Sequence, residues 1–227
     1  MSQNVVILLG APGAGKGTQA VRLAGSLGMP HVSTGDLFRA NLAGGTALGQ
    51  KARAFMDQGE LVPDELVLEM LFDRVAQNDC EKGYLLDGFP RTLAQASALA
   101  QRLGEAAPTV INIEVPDADI ERRIVERRTC KGCGAIFHLS FHPPAKAGVC
   151  DACGGELSQR ADDTAEVVRT RLKEYHEKTS PLVEFYRDRS GICTVDGRNT
   201  PDQVFEACLA CFGVRLEAVR ASQGGSR

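Results

Sequence analysis

The stretch VVILLGAPGAGKGT, residues 5–18, decides the fold. Its first five residues are apolar and typical of a buried strand, and the segment after the glycines has the pattern of a helix. Residues 10–18 fit G-x-x-x-x-G-K-[ST], with the hydroxyl residue displaced by one position to Thr18. A strand, this loop and a helix in that order predict a phosphate-binding loop. The alternative, a glycine-rich turn with a chance lysine, leaves the flanking strand and helix unexplained.

Such a loop binds the phosphates of a nucleoside triphosphate. Glycines let the backbone curl so that successive N–H groups point at phosphate oxygens, and the helix N-terminus adds the positive end of its dipole. Lys16 would neutralise developing charge. Thr18 is placed to meet a phosphate, or Mg²⁺ and its waters. The loop alone does not identify the acceptor of a phosphoryl group.

Short apolar runs alternate with longer amphipathic segments along the rest of the chain, which is typical of a parallel sheet flanked by helices. We predict strands at residues 5–9, 30–33, 84–86, 110–115 and 192–195. Helices are predicted at residues 15–27, 37–58 with an interruption at Gly44 and Gly45, 64–77, 93–103, 117–128 and 164–189, and from Pro201 onward. The pattern predicts an α/β fold with a doubly wound, five-stranded parallel sheet.

Two segments interrupt this alternation and look like insertions at the carboxyl edge of the sheet, where such folds bind ligands. Residues 33–62 are helical between two strands, and residues 129–161 are rich in Gly, Cys and Pro. We expect a core domain of residues 1–32, 63–128 and 162–213. Residues 214–227 include a polar, Gly/Ser-rich end, and we predict a disordered tail there.

The second insertion contains a metal-binding pattern. C-x₂-C-x₁₆-C-x₂-C, the spacing of a four-thiolate zinc site, is formed by Cys130, Cys133, Cys150 and Cys153. Four thiolates leave no open position for substrate, so this zinc is expected to be structural. A segment of this size buries little core, and a metal is a usual remedy. Disulfides are the main alternative.

A further C-x-x-C pair, Cys208 and Cys211, falls in a predicted apolar helix, and we interpret it as core packing.

The net charge of −3 argues against broad nucleic-acid binding. The apolar run at residues 5–9 is too short for a signal peptide or a membrane helix. We therefore expect a cytoplasmic protein with no membrane partner.

Basic residues also follow two other predicted strands. Arg39 lies in STGDLFR and Arg91 in LLDGFPRT, so both should come to the carboxyl edge near the phosphate loop. Two guanidinium groups there would suit a second phosphate. Asp87 ends its strand beside the loop and could hold a magnesium-bound water. Separately, a solvated helix face and a plain turn would also explain these stretches.

Arginines are concentrated just before the cysteine segment. Arg123 and Arg127 are four residues apart and would share one face of a helix, with further arginines at positions 122, 128, 169 and 171. A solvated basic face is the ordinary alternative. Their place beside an insertion at the catalytic edge favours a role in phosphoryl transfer, which needs movable positive charge.

Taken together, GAPGAGKGT, STGDLFR, GELVPDE and LLDGFPRT, followed by RRIVERR and RADDTAEVVRTRLKEY, resemble the adenylate kinase family. The resemblance covers about residues 4–213, and the cysteine segment is similar to the zinc-carrying lid of the long bacterial form. It implies the reaction ATP + AMP ⇌ 2 ADP with Mg²⁺, a structural Zn²⁺, and a monomer whose partners are ATP, AMP and ADP.

The resemblance also implies roles for individual residues. The ATP phosphates would contact Gly13, Ala14, Gly15, Lys16, Gly17 and Thr18. The rest of ATP would contact Arg123, Arg127, Ile136, Phe137 and Asn199, the last at a position where the family more often has lysine. AMP would contact Thr34, Arg39, Glu60, Leu61, Val62, Gly88, Phe89, Pro90, Arg91 and Gln95. Arg160 and Arg171 would close on the transferred group, and the implied catalytic residues are Lys16, Arg91, Arg127, Arg160 and Arg171.

Two other functions remain open at this point. A UMP/CMP-type kinase would differ in its acceptor; Thr34 and Gln95 favour adenine by the resemblance. A nucleic-acid-binding zinc-ribbon ATPase would need basic residues interleaved with aromatic ones, and the acidic net charge counts against it.

Overall fold

The computed structural model describes residues 3–223, and the side chains of residues 3–212. The strands are β1 Asn4–Leu9, β2 His31–Ser33, β3 Gly83–Asp87, β4 Thr109–Glu114, β5 Arg127–Cys130, β6 Ile136–His138, β7 Leu157–Ser158 and β8 Cys193–Asp196. Five of them form a parallel sheet in the order β2-β3-β1-β4-β8. The predicted doubly wound five-stranded sheet is confirmed.

Helices cover both faces of this sheet. They are α1 Lys16–Leu27, α2 Thr34–Ala43, α3 Ala47–Gln58, α4 Asp64–Val75, α5 Leu93–Leu103, α6 Asp117–Val125, α7 Ala165–Glu174, α8 Leu182–Arg189 and α9 Pro201–Gln223. Side chains of β1 alternate between two cores: Val5, Ile7 and Leu9 pack into one, Val6 and Leu8 into the other. Because both faces are covered, β1 is apolar at every position from Val5 to Leu9.

The two insertions differ in kind. Helices α2 and α3 occupy most of the first one, and Gly44 and Gly45 separate them as predicted. The second one holds an antiparallel sheet in the order β6-β5-β7 with its own small core of Cys130, Phe137, Cys150 and Leu157. This sheet starts at Arg127, where α6 has just ended.

Two predicted helices are wrong in extent. Helix α6 ends at Val125, and Arg127 begins β5, paired with His138 of β6, so Arg123 and Arg127 do not share a helix face. The predicted helix at residues 164–189 is divided into α7, a π turn over Tyr175–Thr179, and α8. Pro181, which cannot donate a backbone hydrogen bond, precedes α8 and accounts for the second break.

The interpretation of Cys211 as ordinary core packing is also wrong. It forms a disulfide with Cys193, which joins β8 to α9. Cys208 remains a free thiol and is fully buried, as predicted. Residues three apart on a helix share a face, and both cysteines lie in the same core. The sequence did not reveal the disulfide because the partner of Cys211 comes from the adjacent strand β8.

Helix α9 runs through Gln223, ten residues into the segment predicted to be a disordered tail. Residues 214–223 include no glycine or proline, and Leu, Glu, Ala and Arg favour helix. The rest of that prediction, residues 224–227, lies outside the described residues. None of the helices in the described part of the chain is long and apolar enough to cross a membrane.

Candidate active site

A cavity of about 840 Å³ opens at the carboxyl edge of the large sheet. Its walls come from the segment after β1, from the two insertions, and from α7. Of the residues predicted to bind nucleotide, all but Phe89 line this cavity. The Phe89 side chain is fully buried in the hydrophobic core, so at this position the backbone alone is available to a ligand. The fold therefore brings together predicted site residues that are up to about 190 positions apart in the sequence.

The phosphate loop is packed tightly against helix α6. Gly13 has a φ of 77°, in the left-handed region, and a Cβ built there would lie 2.6 Å from Cγ1 of Ile124. A side chain at this position would therefore be strained and would collide with α6. Gly15 also has positive φ and immediately precedes α1, so the loop ends at a helix N-terminus. This is the geometry of an anion site.

Lys16 lies inside the loop, and its Nζ donates hydrogen bonds to the carbonyl oxygens of Gly10 and Ala11, both at 2.8 Å. Burial lowers the pKa of Lys16 from 10.5 to about 8. Asp87 opposes this effect, while the charges of Arg91, Arg171 and Arg127 add to it. The charged form of Lys16 is therefore destabilised in the free protein, and a bound anion would stabilise it.

This pKa predicts a pH dependence for nucleotide binding. The protonated amine is the form that attracts phosphate, so kcat/KM for ATP is expected to be maximal below pH about 8 and to fall about tenfold per unit above it. At saturating nucleotide, kcat should stay constant up to a higher pH than kcat/KM does, because bound phosphate raises the pKa of Lys16. Initial rates from pH 6 to about 10 would measure both profiles, and a flat kcat/KM over that range would contradict the assignment.

Asp87 ends β3 next to the phosphate loop. Its Oδ2 lies 3.4 Å from the place that a Cβ on Gly17 would occupy, and 3.5 Å from Nε2 of His31. Burial alone would raise the pKa of this carboxyl, but the adjacent His31 side chain and the charge of Lys16 hold it below its ordinary value. Asp87 is therefore an ionised, half-buried carboxylate beside the phosphate loop.

A second group of polar residues surrounds Arg91. Its Nε donates to the carbonyl oxygen of Gly88 at 2.8 Å, and its backbone N–H donates to Oε1 of Gln95 at 2.8 Å. Thr34 also donates to the Gly88 carbonyl, at 2.8 Å. Burial lowers the pKa of Arg91, and the nearby Arg39 contributes to this effect. Two guanidinium groups thus share one end of the cavity.

A third group lies between the two ends of the cavity. Arg127 forms a bidentate ion pair with the fully buried Asp163, and Arg171 lies 3.1 Å from Oδ2 of Asp162. Burial lowers the pKa of Arg171 to about 10, and it does the same for Arg160, whose neighbours include Arg39 and Arg127. These cations are close enough to repel one another, which suits them to a polyanionic ligand.

The sequence profile of the adenylate kinase family matches residues 8–191. The chain belongs to the adenylate kinase family. It is 52% identical to an adenylate kinase of Lachnospira eligens over 92% of this chain and 99% of the relative. It is also 52% identical to one of Symbiobacterium thermophilum (96% and 99%) and 51% identical to one of Bacillus pumilus (88% and 94%). The predicted activity, phosphoryl transfer between ATP and AMP, is confirmed, and the UMP/CMP-type and zinc-ribbon alternatives are set aside.

In this adenylate kinase the second insertion lies over the phosphate loop. The Cδ1 atom of Ile136 is 3.7 Å from the position of a Cβ on Gly17. Phe137 stacks on His142 with ring centroids 5.6 Å apart, and the Arg123 guanidinium lies 5.8 Å from the centre of the Phe141 ring. Flat groups therefore line the end of the cavity where Asn199 is also found. Such groups can stack on a nucleotide base.

The four predicted metal ligands of the adenylate kinase come together at the far end of the insertion. The Sγ atoms of Cys130, Cys133, Cys150 and Cys153 all lie within 4.8 Å of one another, and the four thiols are free. Gly132 donates its backbone N–H to Sγ of Cys130 at 3.3 Å. A Cβ on Gly155 would lie 2.9 Å from that sulfur, so the turn beside it has no room for a side chain. The cluster fits a tetrahedral thiolate site.

Several residues of this site were not predicted from the sequence. Phe141, His142 and Thr179 line the cavity, while Asp163 and Asp64 pair with residues that do. Asp64 was detectable in principle, because an acidic residue after a proline at a helix start is a recognisable signal. The burial of Asp163 depends on tertiary packing, and no local pattern reports it.

Proposed function

We propose that this adenylate kinase transfers the γ-phosphoryl group of ATP to AMP by enclosing both nucleotides in one cavity lined with cations. The ATP phosphates would lie in the loop of residues 13–18, and the AMP phosphate between Arg39 and Arg91. The observation that supports this most is the convergence of cations in a protein of net charge −3. The converging side chains are Lys16, Arg39, Arg91, Arg127, Arg160 and Arg171.

The chemistry needs alignment and charge rather than a general base. A phosphate monoester has its second pKa near 6, so AMP is largely dianionic at neutral pH and its oxygen can attack directly. The bond from the γ-phosphorus to the bridging oxygen of ATP breaks as a bond to the AMP oxygen forms, and two ADP molecules result. Lys16 and the arginines would stabilise the charge on the transferring group.

Mg²⁺ would be held beside the phosphates by Asp87 and Thr18. The ionised carboxylate of Asp87 and the nearby hydroxyl of Thr18 are oxygen ligands of the kind that this ion prefers, directly or through water. When bound, the ion would neutralise phosphate charge and orient the ATP phosphates. The protein's part is to hold Asp87 ionised, through His31 and Lys16.

Closure of the second insertion, residues 129–161, would exclude water, which is the competing acceptor. The position of Ile136 over Gly17 supports this role. In this proposal residues 33–62 form the AMP-binding insert and residues 1–32, 63–128 and 162–213 form the core. The enzyme would act as a cytoplasmic monomer on ATP, AMP and ADP, without a nucleic-acid or membrane partner. The acidic net charge supports the absence of a nucleic-acid partner.

Acceptor choice tests the proposal. Thr34 and Gln95, both buried at the Arg91 end of the cavity, would recognise the adenine of AMP. A coupled assay of ADP formation from ATP should therefore give turnover with AMP and a much lower kcat/KM with UMP or CMP. Thr34→Ala should reduce the difference in kcat/KM between the three acceptors, while Thr170→Ala, at a half-buried position of α7 that does not line the cavity, should leave that difference unchanged. Equal kcat/KM for all three acceptors would contradict the assignment.

We further propose that the four cysteines hold a structural Zn²⁺ that stiffens the second insertion. Chelation is then expected to lower the melting temperature by about 5–10 °C. Loss of the metal should cost a few kcal/mol of folding stability, and each kcal/mol lowers the melting temperature of a chain this size by about 2–4 °C. Turnover at low temperature should fall less, because four thiolates leave no open position for substrate. Thermal unfolding and initial rates on the same chelated sample would measure this.

Cys133→Ser should reproduce the effect of chelation and release zinc, whereas Cys208→Ala, a buried cysteine outside the cluster, should keep the metal. Prompt loss of activity in protein that is still folded would contradict a purely structural role.

A further inference from the structure

The π turn at Tyr175–Thr179 interrupts the helical segment that follows the second insertion. Its signature is the hydrogen bond from the N–H of Ser180 to the carbonyl oxygen of Tyr175, at 2.8 Å, which spans five residues instead of four. A π turn adds one residue to a helix and so changes which side chains face inward from that point. Such turns are frequent at functional sites, and this one ends at a residue that lines the nucleotide cavity.

That residue is Thr179, whose hydroxyl donates a hydrogen bond to the backbone carbonyl oxygen of Arg91 at 2.8 Å. The two residues are 88 positions apart in the chain, and Thr179 is only 9% exposed. The bond therefore links the segment after α7 to the loop that follows β3. Nothing in the local sequence requires it, since neither helix geometry nor a cap uses a threonine in this way.

Arg91 is held at two other points along its length. Its backbone N–H donates to Gln95 and its Nε donates to the carbonyl of Gly88. The bond from Thr179 fixes the remaining backbone group, the carbonyl. The nearby charge of Arg39 disfavours the charged form of Arg91, and the charge of Arg91 in turn disfavours the charged form of Arg171. A guanidinium that is repelled by its neighbours before a ligand binds needs such restraints to keep its position.

We propose that Thr179 is a positioning residue for Arg91, which sets the place of this guanidinium relative to Arg171. This inference rests on the proposed assignment of Arg91 to the AMP phosphate. Arg171 lies eight residues before Thr179, on the helix that leads into the π turn. One continuous segment therefore carries the Arg171 side chain and, through the Thr179 hydroxyl, restrains the backbone of Arg91.

The consequence is a fixed spacing between the acceptor phosphate and the transferring group. Misplacement of a binding group by about 1 Å can cost about 100-fold in rate. Loss of the hydrogen bond from Thr179 should displace Arg91 by less than about 1 Å, because Gln95 and Gly88 still hold it. We expect an effect on AMP binding and on turnover, with little effect on the ATP site, because in the described part of the chain Thr179 shares no hydrogen bond with the phosphate loop.

The test compares three variants with the wild-type enzyme. Thr179→Val keeps the shape and removes the hydroxyl; KM for AMP should rise about tenfold and kcat fall about tenfold, with KM for ATP within about twofold. Thr179→Ser restores the donor and should return both values to within about threefold of the wild type. Thr170→Val makes the same chemical change at a half-buried residue of α7 that does not line the cavity, where the hydroxyl donates only a long bond to the carbonyl oxygen of Glu166, and it should have no effect.

A purely structural role would move the melting temperature alone, or would raise KM for AMP and ATP equally; either outcome, or equal behaviour of the Val and Ser variants, would overturn the proposal. If Thr179→Val does not fold, Thr179→Ala removes the same hydroxyl with a smaller side chain. Arg91→Ala distinguishes the two levels of inference. If it fails to weaken AMP selectively, the acceptor site is misassigned; if it does so while Thr179→Val is silent, only the positioning role fails.

Discussion

Replacing Lys16 with methionine is expected to lower kcat about 1,000-fold, or by ~4 kcal/mol of transition-state stabilisation. Methionine has nearly the length of lysine but no charge. The amine lies inside the phosphate loop, where its pKa of about 8 marks a cation that is costly to keep without an anion. Its interaction with the transferring phosphoryl group would be strongest when that group carries the most charge, so the loss should fall mainly on kcat.

Steady-state rates with saturating ATP and AMP would measure this effect. Lys51→Met removes the same charge from an exposed position on α3 and should leave kcat unchanged. The melting temperature of Lys16→Met, measured separately, distinguishes lost chemistry from lost structure. A kcat within tenfold of the wild type in a folded variant would contradict the role given to Lys16.

Arg91→Ala is expected to raise KM for AMP about 100-fold while KM for ATP changes by less than about threefold. A charge-assisted hydrogen bond to phosphate is worth about 1.5–3 kcal/mol, and Arg91 is half-buried, so water screens its charge less than it would at the surface. The selectivity follows from hydrogen bonding: Arg91 lies in the loop after β3, bonded to Gly88 and Gln95, and within the described residues it forms no hydrogen bond with residues 13–18.

Rates measured with one nucleotide varied and the other saturating would separate the two constants. Arg187→Ala is the matched control, because Arg187 is an exposed residue of α8 that pairs with Glu184 on the surface. Equal weakening of ATP and AMP would mean that Arg91 does not belong to the acceptor site.

The large sheet and the phosphate loop could be predicted because their signals are local. Three of the five strands, β1, β3 and β4, are mainly apolar runs. The glycines of the loop are required by its backbone, as the positive φ of Gly13 and Gly15 shows. The convergence of Arg39 and Arg91 was also predictable, since each follows a strand and parallel strands end at one edge of the sheet.

The errors arose where tertiary contacts decide the structure. Arg127 lies in β5 because that strand pairs with β6, a pairing that no helical periodicity reveals. Cys193 and Cys211 form a disulfide because β8 and α9 are neighbours in space. The π turn at Tyr175–Thr179 accompanies a hydrogen bond to a residue 88 positions away. Each of these features depends on a partner that is distant in the sequence.

The central claim is that fixed and movable cations meet around the phosphates of both nucleotides. A crystal structure with a bisubstrate dinucleotide, two adenosines joined by a phosphate chain, tests it most directly. The account predicts Lys16 and the guanidinium groups of Arg39, Arg91, Arg127 and Arg171 within hydrogen-bond distance of the bridging phosphates. A structure in which the phosphate chain is bound elsewhere, or in which these arginines keep their carboxylate partners and point away from it, would contradict the account.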